Sequence, residues 1–571
     1  MENSEVARVF YEIADYLELQ GVPFKPKAYR RAAANIEGLD GSIEDFLKKG
    51  ELNEIPGIGE AIAEKIRELI ETGKLEYLDK LRAELPKGLL DLLEIPEVGP
   101  KTAMILYKEL GIKSVDDLKA AIFDHKLQGI KGFGPKTEEK ILQGIRIVES
   151  RAGRSLLNDA YQTAAQVLSY LQEKHPGQMM SIAGSLRRMK ETIGDIDILV
   201  ASEEPGKIMD SFVSIKGADE IIAKGDTKSS IRLKNGIQVD IRVVSRESYG
   251  AALQYFTGSK EHNVELRKLA ISKGMKISEY GLFERKTEKK LTGDDEKEIY
   301  RMLDLQFIPP ELREARGEMD AAANYRLPEL VAYDDLKGDL HCHSEWSDAS
   351  GTIEDLRDKA EELNYEYVAV TDHSQSLKIA AGLSEERLAD QVKNIRTLRE
   401  QQERPWVFAG SEVDILKDGR LDYPKDVLRE LDFAVISVHS RFKMDEKEMT
   451  KRIVTAMSNE KAKILAHPTG RIIGQRTSYE FDFEKVAEAA KSNGIAFEIN
   501  SFPERLDLND INVRKAIDYG STIAINSDAH DPSQLEYTRF GIATARRGWA
   551  RRSDILNALP LDELMKRFGL K

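Results

Sequence analysis

The sequence predicts a multidomain fold: an α-helical N-terminal region, an α+β middle region and a C-terminal α/β barrel. First, 571 residues exceed what one hydrophobic core supports, so roughly three to five domains are expected. Second, residues 1–150 show helical periodicity broken by short glycine turns, with four helices expected in residues 1–80. Third, strand and helix patterns alternate about seven times in residues 333–571, which is typical of a parallel barrel.

The composition is typical of a soluble globular protein, with 41% hydrophobic and 32% charged residues. No apolar run is long enough to span a bilayer, and the N-terminus is patterned as an acidic amphipathic helix rather than a signal peptide. We therefore expect a cytoplasmic protein with no membrane partner. The single cysteine, Cys342, excludes an internal disulfide and a thiolate metal cluster. The net charge of −14 argues against non-specific nucleic-acid binding. It does not exclude specific binding, because one face of an acidic protein can still be basic.

Three short turns, at residues 55–60, 95–100 and 130–135, each precede a helical pattern. Their spacing of roughly 35–40 residues marks an internal repeat. Glycine lets the backbone approach a ligand closely, and a helix N-terminus donates N–H groups to an anion. A single copy is equally consistent with a tight helix connection, but three copies favour phosphate binding. The glycines concerned are Gly57, Gly59, Gly99, Gly132 and Gly134, and Glu97 replaces the first glycine of the middle copy.

Residues 184–200, GSLRRMKETIGDIDILV, predict a turn, a helix start, a second turn and a strand. Asp195 and Asp197 are two residues apart on that strand, so both carboxylates face one side while the aliphatic residues face the core. Asp240 follows in a second strand pattern. One aspartate pair alone is more often an acidic surface turn. Three carboxylates on adjacent strands predict a site for two Mg²⁺ ions and an in-line displacement at phosphorus.

Groups suited to a nucleotide flank these aspartates. Gly184 and Ser185 precede Arg188, and a Gly-Ser turn that opens a helix offers N–H groups and a hydroxyl to a phosphate. Tyr255 and Phe256 beside a second Gly-Ser turn suit stacking against a nucleotide. The alternative for these aromatics is a core anchor before the next helix. The combination predicts nucleotidyl transfer.

In residues 333–571, nearly every predicted strand ends in His, Asp or Glu. The active sites of parallel barrels lie at the C-terminal ends of the strands. His341 and His343 are two residues apart, so both rings point the same way, and Asp528 and His530 repeat that spacing. A lone histidine is more often an ordinary side chain, but six histidines at strand ends predict a metal site. Imidazole and carboxylate ligands without thiolate suit Zn, Mn or Fe, and Cys342 is expected to face away from them.

The motifs GSLRRxxxxxGDIDILV and YFTGSxxHN closely resemble the signatures of family X DNA polymerases, and the resemblance covers residues 1–315. It implies a lyase-like helical domain at 1–80 and a DNA-binding domain at 81–150, both with helix-hairpin-helix elements. It also implies a palm at 151–245 and a nucleotide-selecting thumb- or fingers-like domain at 246–315. By this resemblance, Asp195 and Asp197 bind both Mg²⁺ ions, and Asp240 binds the catalytic ion and helps to activate the primer 3′-hydroxyl.

The same resemblance implies roles for further residues. It assigns the triphosphate to Ser185, Arg188 and Gly194, the sugar pocket to Tyr255, Phe256 and Gly258, and the minor-groove check to Asn263 and Arg267. It assigns the Schiff-base lysine of the lyase domain to Lys65, with Lys25 and Tyr29 as phosphate-binding residues. Ala61 stands where a second pocket lysine is often found, so lyase activity stays open.

After a linker at 316–332, residues 333–571 resemble the PHP (polymerase and histidinol phosphatase) domain. That resemblance implies a distorted (β/α)7 barrel with three metal ions, Mn²⁺ or Zn²⁺, and metal-dependent phosphodiester hydrolysis. Asp372 and Arg471 are expected to support the metals or bind phosphate. The implied ligands are His341, His343, Asp348, His373, Glu412, His439, His467, Asp528 and His530.

Together these features predict a monomeric DNA-directed DNA polymerase that fills short gaps in base excision repair. A 3′-5′ exonuclease is expected in the barrel, and activity at abasic sites is left open. The expected partners are gapped or primer-template DNA and dNTPs. One alternative is a template-independent nucleotidyltransferase fused to a small-molecule phosphoesterase, against which the phosphate-binding repeat argues. A second is a DNA-binding scaffold with silent sites, against which the complete Asp and His sets argue.

Overall fold

The structure is a computed structural model that describes residues 3–37, 39, 42–93, 95, 98–130, 132–151, 153–401 and 404–570. The described residues fall into two units. One unit comprises residues 1–152 with 474–477, and the other comprises residues 153–473 with 478–571. Over these described ranges, every helix is too short or too polar to cross a membrane.

The first unit is helical, as the periodicity predicts. Its helices are α1 (Asn3–Leu19), α2 (Lys25–Glu37), α3 (Ile43–Lys49), α4 (Glu60–Thr72), α5 (Glu76–Glu84), α6 (Gly88–Leu93), α7 (Pro100–Leu110), α8 (Val115–Phe123) and α9 (Pro135–Arg151). Four helices are expected in residues 1–80, but five begin there, because α5 starts before that boundary and continues past it. The apolar faces of these helices form one core, to which α1 contributes Phe10 and Ile13.

Two of the three glycine turns are the N-caps of helices, as their sequences predict. Gly59 precedes α4 and Gly99 precedes α7, both in extended conformation, and Pro100 occupies the first turn of α7. The same helices end at Gly73 and Gly111, whose φ angles of 69° and 67° lie in the left-handed region that glycine adopts without a Cβ clash. The repeat therefore sets where these helices begin. Glu97, which departs from the repeat, lies outside the described residues.

The second unit begins with a mixed five-stranded sheet. The elements of this region are β1 (Ser155–Leu156), α10 (Leu157–Lys174), β2 (Met179–Ile182), α11 (Gly184–Arg187), β3 (Thr192–Ile193), β4 (Asp195–Ala201), α12 (Pro205–Val213), β5 (Ala218–Lys224), β6 (Lys228–Leu233) and β7 (Gln238–Val244). Strands β1 and β3 form a separate antiparallel pair, and the other five form the sheet. The strand order is β2-β4-β7-β6-β5, with β4 and β7 parallel and the other pairs antiparallel. Helices α10 and α12 cover one face, where Ile196 and Ile198 of β4 are buried.

A smaller α+β layer follows. Its elements are α13 (Tyr249–Thr257), α14 (Lys260–Ser272), β8 (Met275–Ser278), β9 (Gly281–Glu284), β10 (Lys290–Thr292) and α15 (Glu296–Met302). The three strands form an antiparallel sheet in the order β10-β9-β8. Leu266 of α14 and Tyr300 of α15 are among the buried residues of this layer.

The segment expected to be a linker is packed into the fold. It contains α16 (Glu318–Ala323), and the side chains of Glu318 and of Arg313, which lies three residues before the segment, are fully buried. Arg313 pairs with Glu296 at 2.7 Å, and Glu318 accepts from Nδ1 of His262 at 2.8 Å. Buried charges are costly unless they are paired. The prolines and charged residues of this segment are typical of a linker. Its partners cannot be predicted from that local pattern, because they lie in other elements of the chain.

The C-terminal part is a barrel of parallel strands. Its strands are β11 (Gly338–Cys342), β12 (Tyr367–Val370), β13 (Trp406–Ala409), β14 (Glu412–Asp414), β15 (Ala434–Ser437), β16 (Ala462–Leu465), β17 (Ala496–Asn500) and β18 (Ile523–Asn526). Its helices are α17 (Ile353–Glu362), α18 (Glu385–Gln401), α19 (Lys425–Glu430), α20 (Glu446–Ala456), α21 (Phe483–Asn493), α22 (Asp510–Asp518), α23 (Thr538–Arg547) and α24 (Leu561–Phe568). Every strand pair of the barrel is parallel.

The strands close into a ring of seven. Strands β13 and β14 are two parts of one strand, interrupted at Gly410 and Ser411, which accounts for the distortion. The ring closes between β11 and β18, where the backbone N–H of His343 donates to the carbonyl of Ala529 at 2.8 Å. The expected distorted (β/α)7 barrel is confirmed. Cys342 is fully buried, as its position between the two histidines predicts.

Candidate metal centres and nucleotide pocket

The three predicted aspartates meet on two neighbouring strands of the mixed sheet. Asp195 and Asp197 lie on β4, and Asp197 is the register partner of Asp240 on the parallel strand β7. One carboxylate oxygen from each lies within 4.8 Å of the others. Asp195 is exposed and Asp240 is buried, so the group lies at the edge of the core. Three carboxylates at this spacing fit divalent cations that prefer oxygen ligands.

The two neighbouring carboxylates make the ionisation of Asp197 less favourable. Burial, followed by the charges of Asp195 and Asp240, raises the pKa of Asp197 to about 7. Two groups offset part of the charge on Asp240: Nζ of Lys228 lies 3.1 Å from its Oδ2, and Nε2 of Gln238 donates to its Oδ1 at 2.8 Å. A bound divalent cation neutralises such a cluster more fully, which supports a metal site here.

One cavity of about 620 Å³ opens beside Asp195 and Asp197. Its lining contains every residue predicted to bind the nucleotide: Gly184, Ser185, Arg188, Gly194, Tyr255, Phe256, Gly258, Asn263 and Arg267. Arg154, Lys190 and Glu314, which the sequence reading did not select, line it as well. The structure therefore brings two distant motifs, GSLRR and YFTGS, to one concave surface.

Gly184 and Arg188 are held tightly at this cavity. Gly184 has φ +61°, and a Cβ built on it would lie 2.2 Å from Oδ2 of Asp197. Only glycine therefore fits at this position beside the carboxylate. Nε of Arg188 donates to Oε1 of Glu314 at 3.0 Å, and its Nη1 donates to the carbonyl of Thr257 at 2.6 Å.

The aromatic residues of the YFTGS motif already have partners. The guanidinium of Arg242 lies 4.4 Å from the ring centroid of Phe256, and that of Arg267 lies 5.8 Å from the ring centroid of Tyr255. Nδ2 of Asn263 donates to the carbonyl of Tyr255 at 2.7 Å. These contacts give the rings fixed orientations at the cavity wall.

In the helical unit, the predicted glycines leave the backbone accessible. Gly57 and Gly132 have φ angles of +82° and +96°. No described atom lies within 4 Å of a Cβ built on Gly59, Gly99, Gly132 or Gly134. Helix N-termini with open backbone suit contacts to phosphate.

Of the residues predicted for the lyase pocket, Lys65 and Tyr29 are linked through the ring of Tyr77. Nζ of Lys65 lies 4.9 Å from the ring centroid of Tyr77 and donates to the carbonyl of Ala61 at 3.0 Å. The Tyr77 ring stacks on Tyr29, with 6.3 Å between centroids, and burial raises the pKa of Tyr29 to about 12. Lys25 is exposed at the start of α2, one helical turn before Tyr29.

The barrel gathers all nine predicted ligands. Three overlapping sets place one ligand atom per residue within 4.8 Å of each other: His343, Asp348, His373 and His530; His341, His343 and Asp528; His373, Glu412 and His439. His467 joins them, with its Nε2 2.9 Å from Oε1 of Glu412. Because His343 and His373 each belong to two sets, the geometry suits neighbouring ions that share a ligand shell.

The charge balance of this cluster also favours cations. Burial opposes ionisation of Glu412, but His439, His373 and His341 hold its pKa well below the usual value. Nδ1 of His343 is buried and has no hydrogen-bond partner in the described part of the chain. Buried polar atoms without partners are unfavourable unless another group satisfies them, and metal coordination does so.

Comparisons with known families agree with this division of the chain. Residues 1–75 match the helix-hairpin-helix domain, and residues 89–146 match the SAM-like helix-hairpin-helix tandem. Residues 252–314 match the DNA polymerase beta thumb, and residues 339–502 match the PHP domain. The DNA polymerase/3′-5′ exonuclease PolX of Bacillus subtilis (strain 168) is 39% identical over 567 residues, which cover 99% of each chain.

The chain belongs to the PolX family. Its similarity to DNA polymerase lambda is lower and covers about half of each protein. The Rattus norvegicus protein is 25% identical over 341 residues, which cover 55% of this chain and 56% of that protein. The Arabidopsis thaliana protein is 27% identical over 305 residues, which cover 49% and 54%. The predicted combination of a family X polymerase region with a PHP domain is confirmed.

Two carboxylates that the sequence reading missed support the histidines of this PolX chain. Glu498 is fully buried on β17 and accepts from Nδ1 of His341 at 2.7 Å. Asp414 on β14 lies 2.9 Å from Nδ1 of His439. Hydrogen bonds of this kind orient a metal-binding imidazole. The spacing of two residues along a strand could have predicted both. Glu498 precedes Asn500 by two residues and Asp414 follows Glu412 by two, each pair at the end of a strand.

Arg471, which is expected to support the metals or bind phosphate, uses its Nη2 for residues outside the nine-residue cluster. Nη2 of Arg471 donates to Oε2 of Glu191, in the turn between Arg188 and β4, at 2.7 Å and to the carbonyl of Leu506 at 2.6 Å. Arg471 thus joins the barrel to the mixed sheet. Arg505 is the arginine nearer the cluster, with Nε 3.8 Å from Oδ2 of Asp528 and a buried Nη1 without a partner among the described residues. Asp372 is buried and accepts from the backbone N–H of Ser344 at 2.8 Å.

Proposed function

We propose that this PolX chain is a DNA-directed DNA polymerase that fills short gaps, with a 3′-5′ exonuclease in its barrel. The observation that supports this most directly is the presence of two separate ligand clusters, one of aspartates beside a nucleotide-sized cavity and one of histidines and carboxylates in the barrel. The substrates proposed are gapped or primer-template DNA and dNTPs. A role in base excision repair and a monomeric state are part of the same proposal.

In the polymerase site, Asp195, Asp197 and Asp240 would hold Mg²⁺, which supplies charge neutralisation and activation of the attacking hydroxyl. Ser185, Arg188 and the N–H groups at the start of α11 would bind the triphosphate. The primer 3′-oxygen would attack the α-phosphorus, a new P–O bond would form, and pyrophosphate would leave. The walls at Tyr255, Phe256 and Gly258 would hold the sugar, and Asn263 and Arg267 would contact the minor groove.

In the barrel, the nine-residue cluster would hold Mn²⁺ or Zn²⁺ ions, which supply an activated water and stabilise the leaving oxygen. Glu498 and Asp414 keep the rings of His341 and His439 oriented. Arg505 is placed to contact a phosphodiester beside Asp528. The expected products are a nucleoside monophosphate and a primer shortened by one nucleotide.

A pair of double variants tests the two-site proposal on a labelled primer in gapped DNA, with and without dNTPs, across Mg²⁺, Mn²⁺ and Zn²⁺. Asp195→Ala with Asp197→Ala should abolish extension and leave shortening intact. His341→Ala with His343→Ala should do the opposite. Loss of both activities in either double variant would refute independent sites, and activity on free nucleotides alone would favour the small-molecule alternative.

Lyase activity is a second candidate, supported by Nζ of Lys65 lying over the Tyr77 ring, next to Tyr29. The test is borohydride trapping of the chain on DNA with an incised abasic site. Lys65→Ala should lose the trapped product, and Lys74→Ala, an exposed lysine after the same helix, should retain it. Equal trapping by Lys65→Ala and the wild type would remove this assignment.

A further inference from the structure

A barrel residue reaches the nucleotide pocket of the polymerase region. Arg547, at the end of α23, is 5% exposed. Its Nη1 donates to the carbonyl of Arg188 at 2.7 Å and to Oε1 of Glu314 at 3.0 Å. Its Nη2 donates to Oδ2 of Asp510, a barrel residue, at 2.7 Å. Arg547 therefore connects the barrel to the residue expected to bind the triphosphate.

Glu314 is shared between the two arginines. The same oxygen, Oε1, accepts from Nε of Arg188 and from Nη1 of Arg547, each at 3.0 Å. Its other oxygen lies 3.9 Å from Nζ of Lys190. Burial opposes the charged form of Glu314, but Arg547, followed by Arg188 and Lys190, lowers its pKa. One carboxylate thus contacts three cations, two of which, Arg188 and Lys190, line the cavity.

The contacts of Arg188 fix its guanidinium plane. Nε is held by Glu314 and Nη1 by the carbonyl of Thr257, and Nη2 has no hydrogen-bond partner among the described residues. An arginine that is already ordered loses less side-chain entropy when it binds a phosphate, and its planar fork needs a fixed orientation to do so. Removing Glu314 would take away the partner of Nε. Removing Arg547 would take away a donor to both Glu314 and the backbone carbonyl of Arg188.

We infer that Glu314 and Arg547 are positioning residues that hold Arg188 for the triphosphate, so that the barrel region sets the affinity of the polymerase site for dNTPs. The inference rests on the proposed function, in which Arg188 binds the triphosphate. It also gives the fused barrel a role in nucleotide addition that is separate from hydrolysis.

The experiment uses the full chain with Glu314→Gln, Arg547→Gln and the double variant. Single-nucleotide insertion into gapped DNA gives KM for dNTP and kcat, and primer shortening is measured in parallel. Each single variant should raise KM about fivefold to tenfold with kcat within about twofold, as expected for a coupling between groups that bind rather than react. The double variant should resemble the more affected single variant, because both residues act through Arg188. Primer shortening should change less than about twofold.

Arg546→Gln is the matched control. Arg546 is the preceding residue on α23 and also pairs with a glutamate close to Glu314 in the chain, Glu311, at 2.7 Å, but it does not contact Arg188. Its KM for dNTP should equal that of the wild type. An equal KM rise in Arg546→Gln would show that a loosened attachment of the barrel is responsible, and would overturn the inference.

Further variants separate failure of the inference from failure of the proposed function. Thermal unfolding of every variant checks folding, and Arg547→Lys, which keeps the charge, should raise KM less than Arg547→Gln. If the wild type inserts no nucleotide, the proposed function fails. If it does, and Arg188→Ala raises KM while Glu314→Gln and Arg547→Gln do not, the inference alone fails.

Discussion

Asp197 and Asp240 lie directly opposite each other on the parallel strands β4 and β7. With Asp195 two residues away on β4, this pairing concentrates three carboxylates at one point of the sheet. The arrangement opposes folding when the carboxylates are ionised and unneutralised, and favours cation binding. It therefore links the stability of the polymerase region to pH and to Mg²⁺.

Asp197→Asn is expected to stabilise the metal-free protein at pH 8. Folding raises the pKa of Asp197 from its ordinary value of 3.8 to about 7. The free energy of unfolding of the wild type therefore falls as pH rises from about 4 to 7. The gain at pH 8 has an upper bound of about 4 kcal/mol and should disappear near pH 4. Denaturant unfolding in EDTA at both pH values measures this gain in unfolding free energy. Added Mg²⁺ should stabilise the wild type but not Asp197→Asn.

The matched control for this prediction is Asp226→Asn, which removes an exposed carboxylate in the turn between β5 and β6. It should leave unfolding unchanged at both pH values. A destabilised Asp197→Asn protein at pH 8 would contradict the argument that the three carboxylates repel one another.

Glu498→Gln is expected to weaken the barrel site without affecting nucleotide addition. Glu498 accepts from Nδ1 of His341 at 2.7 Å and from the backbone N–H of His467 at 2.7 Å. A glutamine amide has only one acceptor oxygen and so cannot replace both carboxylate oxygens, and loss of such a partner typically costs about 10-fold to 100-fold in metal affinity or activity. Metal titration and primer shortening measure the loss. Glu488→Gln, on the exposed face of α21, is the control and should retain metal affinity and both activities. If Glu498→Gln lost primer extension as strongly as primer shortening, the assignment of Glu498 to the barrel site would be refuted.

Gly184→Ala is expected to reduce nucleotide addition by about 100-fold, because a displacement of reactive groups by about 1 Å has effects of that size. The added methyl group would lie 2.2 Å from Oδ2 of Asp197, and φ of +61° adds backbone strain. Gly206→Ala is the control, since Gly206 lies in α12 and no described atom falls within 4 Å of its built Cβ. Primer shortening should be unchanged in both variants. If Gly184→Ala extended the primer at the wild-type rate, Asp197 could move without loss of nucleotide addition, and the prediction would be wrong.

Acidification is expected to weaken the layer built around α15. Burial opposes ionisation of Glu296, but Arg313 and Arg187 lower its pKa to about 2. Its ionised form therefore contributes up to about 3 kcal/mol above pH 4.5, and this contribution is lost as pH falls toward 2. The unfolding free energy of Glu296→Gln should fall below that of the wild type at pH 7, and the difference should shrink near pH 3. Glu298→Gln, which alters the surface pair with Arg301 on the same helix, should show a much smaller pH dependence.

Local patterns in the chain were enough to predict both metal clusters. The period of two along a strand places Asp195 with Asp197, His341 with His343, and Asp528 with His530, whatever the strands pack against. The same period places Glu498 at a strand end, but one acidic residue inside an apolar strand is a weak signal. The resemblance to two families then joined motifs that lie far apart.

Contacts between remote segments could not be read from the chain in this way. Arg547 and Glu314 are separated by 233 residues, and nothing in their neighbourhoods marks them as partners. The packing of the segment around Arg313 and Glu318, and the use of Arg471 to hold Glu191, are of the same kind. Side-chain periodicity follows from backbone geometry over a few residues, and so it is written in the amino-acid order. The pairing of buried charges depends on which surfaces meet once the barrel and the sheet have folded, and only the three-dimensional structure shows that.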